Sequence, residues 1–137
     1  MEKYISIIKM GFCAVMGYLL GGADTLAATL VIFMAADYAT GLIVAAVFKR
    51  SPKTENGAIE TKAGLKGLMR KCAILIIVML VARLEILTGG EGFCRDTVIM
   101  FFVVNEALSV LENTSLMGVP YPEAVKNALE VMKKHNI

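Results

Sequence analysis

The fold class predicted for this chain is an all-α integral membrane protein, with three to four transmembrane helices and a short C-terminal amphipathic helix. Three observations predict it. Of the 137 residues, 57% are hydrophobic and 19% are charged, where soluble domains carry about 45–50% and about 25%. The charges are clustered, and the runs between the clusters are long enough to cross a bilayer. A soluble domain of this size can bury one or two such helices but not three or four.

Residues 5–20 form the first expected span, apolar apart from Ser6 and Lys9. The Lys9 ammonium can snorkel towards the interface. The alternative for this segment is an amphipathic helix lying on the membrane surface. Glu2 and Lys3 make a poor basic start for a signal peptide and no small-residue cleavage site follows, so the segment is expected to be retained. Gly21-Gly22-Ala23-Asp24-Thr25 is a link, in which Asp24 or Thr25 can cap the next helix.

The second span is expected at 26–48, roughly 35 Å long. Its single charge, Asp37, lies near the middle. An ionised carboxylate there costs about 2.5–3.5 kcal/mol on the insertion scale, so it should face a partner helix or water. Thr40, Gly41 and Ala45 continue the same small, polar stripe.

Residues 49–67 form a basic loop whose last part can enter the next helix. Lys49, Arg50, Lys53, Lys66, Arg70 and Lys71 in and beside it outnumber the opposing Glu55 and Glu60. Basic loops stay in the cytoplasm. A nucleic-acid patch has the same composition, but a position between two spans favours the topological reading. The third span is expected at 68–87, with an uncharged core from Cys72 to Ala82 and with Arg83 and Glu85 towards its far end. Thr88–Gly92 is a turn.

The fourth span is expected at 93–111. Asn105, Ser109 and Glu112 share one face, with Glu106 beside it. Gly118-Val119-Pro120-Tyr121-Pro122 breaks the pattern. The tail at 119–137 then reads as a short amphipathic helix, on the cytoplasmic surface or against a neighbouring subunit, with Pro122 in its first turn and Val125, Ala128, Leu129 and Met132 on its apolar stripe. If all four segments span, both termini are cytoplasmic.

No nucleophile–base pair stands out, and Cys13, Cys72 and Cys94 lack metal-ligand spacing. The one histidine, His135, lies two residues from the end. Neither catalytic residues, nor a cofactor, a metal site or a nucleic-acid partner is expected.

Three motifs carry a resemblance to a known family. They are Asp37-Tyr38-Ala39-Thr40-Gly41, then Gly64-Leu65-Lys66-Gly67, then Asn105-Glu106-Ala107-Leu108-Ser109-Val110-Leu111-Glu112-Asn113, followed by Gly118-Val119-Pro120. In order and spacing they resemble the phage holin family that includes the clostridial toxin-secretion holins, from about residue 26 to the end. The first 25 residues match only in character.

The resemblance implies a homo-oligomer in the bacterial cytoplasmic membrane that opens lesions. A cell-wall hydrolase (an endolysin) or a large toxin leaves through them, and no stable complex with that cargo is implied. The residues expected to line a pore or pack helices are Asp37, Thr40, Gly41, Asn105, Glu106, Ser109 and Glu112, with Arg83 as an ion-pair partner for the carboxylates. Two other readings stay open. A membrane carboxylate also marks a small ion- or proton-coupled channel or transporter, and a regulatory, antiholin-like subunit would have the same composition.

Overall fold

A computed structural model describes residues 1–135, except the side chains of Leu129, Met132 and Lys133. Five helices follow one another: α1 (Glu2–Leu19), α2 (Thr25–Ile43), α3 (Thr61–Leu87), α4 (Phe93–Leu116) and α5 (Glu123–His135). The all-helical class expected from the sequence is the one observed. Helix α2 runs on into a π-helical turn, Val44–Phe48. Together they form Thr25–Phe48, the one helix among the described residues long and apolar enough throughout to cross a membrane. Helix α3, at 27 residues, is longer than this stretch and α4, at 24, equals it, but charges interrupt both.

The boundaries have local causes. Asp24 caps α2, its carboxylate accepting from the Ala27 N–H at 2.9 Å. The π-helical turn ends where Lys49 adopts a left-handed φ of 50°, and the Arg50 N–H then reaches back to the Val44 carbonyl. The loop beyond is compact. The Ser51 N–H donates to the Gly57 carbonyl at 3.0 Å. Gly57 has a φ of +72°, and a Cβ there would collide with the Lys49 carbonyl. Helix α3 starts at Thr61, so the last third of the expected basic loop is helical. Helix α4 runs five residues beyond the expected end of its span.

Helices α2 and α4 make the closest pair, and α3 packs more against α4 than against α2. Leu30 and Met34 of α2, Ile74 and Val78 of α3, and Ile99 and Val103 of α4 form the core with Leu20. The outer surfaces are apolar: Ile32, Ile76, Leu80 and Leu84 are all more than half exposed. Helix α1 stands apart. Every residue from Met1 to Val15 is exposed, and the helix touches α3 near its own C-terminal end.

Helix α5 packs against α4. It starts at Glu123, inside the tail segment expected from the sequence, and Val125 and Ala128 of its apolar stripe stay exposed. The Leu129 and Met132 side chains and residues 136–137 lie outside the described residues.

Candidate functional site: a buried polar cluster between three helices

The apolar packing of α2, α3 and α4 encloses one polar knot. Asp37 and Glu106 are each buried, at 7% exposure, on facing helices. Two buried carboxylates stay ionised together only beside a counter-charge. Lys71 of α3 supplies it, its ammonium donating to Asp37 Oδ2 and to Glu106 Oε2, both at 2.6 Å. Asn113, one turn beyond Ser109, completes the knot. Its side-chain nitrogen donates to the Asp37 carbonyl at 3.2 Å, to Asp37 Oδ1 at 3.1 Å and to Thr40 Oγ1 at 2.9 Å. The Thr40 hydroxyl turns back to the Ala36 carbonyl at 2.8 Å. No buried side-chain nitrogen or oxygen among the described residues lacks a partner, as low-polarity surroundings demand.

Helix geometry explains how the site is assembled. Glu106 and Asn113 are seven residues apart, two turns along one face of α4. Asp37, Thr40 and Gly41 lie on the facing side of α2. Gly41 sits at this contact, where a Cβ would stand 3.6 Å from the Asn113 side-chain nitrogen, an ordinary van der Waals distance. Tyr38 extends over α3, where a Cβ on Gly64 would stand 3.5 Å from its hydroxyl and one on Gly67 would stand 3.9 Å from its ring. The three sequence motifs therefore meet in one place: the first touches the second through Tyr38, and the third through Asn113.

Beside the knot lies a cavity of about 510 Å³. Asp37, Lys71, Asn105, Glu106 and Ser109 face it from within. Lys53, Glu60 and Arg70 line it from the exposed rim.

Three expectations are corrected here. Arg83 does not meet either carboxylate. It lies toward the far end of α3, stacked 4.7 Å over the Tyr18 ring and donating to the Tyr18 hydroxyl at 3.1 Å. Lys71, expected only to set topology, turns inward and is the ion-pair partner instead. The reason is position: it faces α2 and α4 at the level of their carboxylates, whereas Arg83 lies three turns further along. The buried polar face of α4 is that of Glu106 and Asn113, so Glu112 points outward and is exposed. Asn105 and Ser109 line the cavity, but Asn105 bonds to the Phe101 carbonyl of its own helix. Lys49, Arg50, Lys53, Lys66 and Arg70 are exposed.

A second cluster, built on Arg95, has no counterpart among the sequence expectations. Arg95 is buried at 5%. Its guanidinium donates to the Leu20 carbonyl at 2.5 Å, the Gly22 carbonyl at 3.1 Å, and the carboxylates of Asp24 and Asp96 at 2.8 Å. Glu85 accepts the N–H groups of Cys94 and Arg95 at 3.0 and 2.9 Å, serving donors that open an α-helix without intrahelical partners. Gly90 lets Glu85 approach, because a Cβ there would collide with the Glu85 side chain. The Arg95 hydrogen bond holds the Asp24 carboxyl below the usual carboxylate range. The available signal was the placement of opposite charges, Asp24 and Arg95, at the starts of the second and fourth apolar segments.

A bundle that exposes its large apolar side chains and buries its ion pairs is arranged for an apolar surrounding. Comparison with known proteins gives the class a family. The model of the bacteriophage holin family matches residues 14–134. The chain is 39% identical to an uncharacterized protein of Listeria innocua, over 94% of this chain and 86% of the relative. It is 31% identical to an uncharacterized 14.9 kDa protein of Clostridium perfringens, over 95% and 96%. With a probable holin of Bacillus phage phi105 it shares 26% identity, over 73% of this chain and 68% of the relative. No solved structure matches. The chain belongs to the bacteriophage holin family and is a membrane protein.

Proposed function

We propose that this protein is a multi-pass pore former of the bacterial cytoplasmic membrane, releasing an endolysin or a large toxin once enough copies have associated. The observation that carries the reading is the buried cluster of Asp37, Lys71, Glu106 and Asn113, inside a bundle whose exposed face is apolar.

In this reading α1 to α4 span, the loop 49–60 and both termini are cytoplasmic, and the turns at 20–24 and 88–92 are outside. In the single bundle the polar groups of the cluster satisfy one another, so the cluster presents no unpaired polar group to lipid. When copies associate and the bundles open, the same groups can face water, which solvates them better than a protein interior. Raising the number of copies then shifts the population towards the open assembly. The chemistry asked of the site is solvation and packing, not bond-making.

Induced expression with and without a cytoplasmic cell-wall hydrolase tests this. The expected result is loss of membrane potential in both cultures, with lysis in the one carrying the hydrolase. A second reading, a proton- or ion-coupled channel, draws on the same buried carboxylates. Ion flux in liposomes without escape of a folded protein would select it. Expression that leaves the potential intact would point to a regulatory subunit.

A further inference from the structure

We infer that Lys9, on α1 of one copy, enters the cavity beside Asp37 and Glu106 of a second copy, and that this ion pair is a contact between protomers. The inference rests on the multi-pass reading above and adds to it which surfaces meet.

The first observation is a charge imbalance. The buried knot holds two carboxyl groups and one ammonium, one more acid than base away from the exposed rim. The rim charges Lys53, Glu60 and Arg70 are exposed, and in the multi-pass reading they lie at the cytoplasmic mouth, where water and salt screen them. The knot is not screened in this way. A charge of the opposite sign at the same depth is therefore the occupant the cavity fits, and at about 510 Å³ it has room for a lysine side chain.

The second observation is a lysine in the complementary position. Lys9 lies ten residues before the end of α1, roughly 15 Å along the axis. Asp37 is twelve residues from the start of α2 and Glu106 thirteen from the start of α4, about 18 and 20 Å from the same side. Side chains tilt towards the N-terminus of their helix, which in α1 carries the ammonium the remaining few ångströms. Among the described residues Lys9 has no ion-pair partner.

The third observation excludes the shorter route. Among the described residues, none from α1 lines the cavity. The link after α1 is fixed by the Arg95 bonds to the Leu20 and Gly22 carbonyls and by the Gly22 N–H to the Gly17 carbonyl at 2.8 Å. Helix α1 therefore does not reach its own cavity, and its exposed residues Glu2–Val15 are available to lie against a neighbour.

Cysteine crosslinking of the full chain in cell membranes tests the inference. With Cys13, Cys72 and Cys94 replaced by serine, Ser6→Cys and Ser109→Cys are combined in one chain. Running antiparallel, α1 and α4 bring these two positions together when Lys9 meets Glu106. Oxidation should give a dimer band several-fold stronger than Ser6→Cys with the outward-facing Glu112→Cys. Adding Lys9→Met should reduce the dimer to that control level, Lys9→Arg should keep it, and Lys9→Met with Glu106→Gln should recover it, because one carboxylate then faces one ammonium.

A bond formed within one chain, or a dimer no stronger than the control, overturns the inference. So does a dimer indifferent to Lys9→Met, which would mean that Lys9 serves only the lipid headgroups. A chain that permeabilises cells yet fails the crosslink loses the docking and keeps the pore reading. A chain that crosslinks as expected but never permeabilises does the reverse.

Discussion

Asn113 holds α4 to α2 through one nitrogen that serves Asp37 twice and Thr40 once, at 2.9 to 3.2 Å. The contact joins a residue near the end of α4 to the middle of α2. It does so beside the carboxylate that Lys71 neutralises from the other side. Replacing Asn113 with leucine leaves Asp37 and Thr40 short of a donor, at a cost of about 1–3 kcal/mol. Unfolding by sodium dodecyl sulfate in mixed micelles should show the loss, and a midpoint equal to wild type would count against a buried contact.

Lys71→Met should be the more damaging change. It leaves two carboxylates buried without a counter-charge, and breaking a buried pair on one side costs about 3–5 kcal/mol. Asp37→Asn and Glu106→Gln added to Lys71→Met remove the charges that were stranded and should return most of the stability. The same micelle titration, run on the single and the triple variant, checks both halves.

If the buried cluster sets the balance between packed and open assemblies, its carboxylates also set the timing. Asp37→Asn and Glu106→Gln should each shift the onset of permeabilisation after induction, followed by dye entry. Wild-type onset in both would remove these residues from the mechanism and leave them as packing contacts.

The Tyr38 contact makes a steric prediction. Gly67→Ala places a methyl 3.9 Å from the ring, an ordinary distance, and should be tolerated. Gly67→Leu has no such room and should push α3 from α2, lowering the thermal aggregation temperature in detergent. Tyr38→Ala in the Gly67→Leu background should restore part of it.

The far turn makes a prediction about pH. The Asp24 carboxyl is held below its unfolded value by Arg95, so the folded state prefers the ionised form. Its contribution is complete above the usual carboxylate range, and it fades as pH falls through the lowered folded value. Asp24 is half exposed, at 49% of its side chain, so the pair is worth about 1 kcal/mol or less. Asp24→Asn should lose this amount at pH 7 and show a flatter stability profile on acidification. Equal slopes for the two proteins would discount the pair.

The sequence made the helices legible because hydrophobic runs and charge clusters are one-dimensional signals. Asp37 was legible for the same reason: a lone carboxylate in an apolar run must have a partner. Which partner was not legible. Lys71 belongs to a basic run with Arg70 and Lys66, and charge counting treats the three alike. Helical phase separates them, turning Lys71 inward and its neighbours out, but the phase acquires meaning only when the positions of α2 and α4 are known. Glu112 failed in the opposite way. It shares an i, i+7 spacing with Asn105, yet the face that packs is centred one residue further on. Arg95 was passed over because an arginine at the start of a span looks like an interfacial anchor, and only the folded turn shows four acceptors waiting for it.

The Asp37–Lys71 contact joins helices that are neighbours in the chain, while Glu106 comes from a helix made later. A ribosome that has completed α3 has therefore already produced a hairpin whose buried charges cancel one for one. Glu106 arrives only with α4, and with it a second acid beside the one ammonium. The unfinished chain carries one acid and one base at this site and the finished one two acids and one base, so the place inferred above for Lys9 of a second copy forms only when synthesis reaches the last apolar segment.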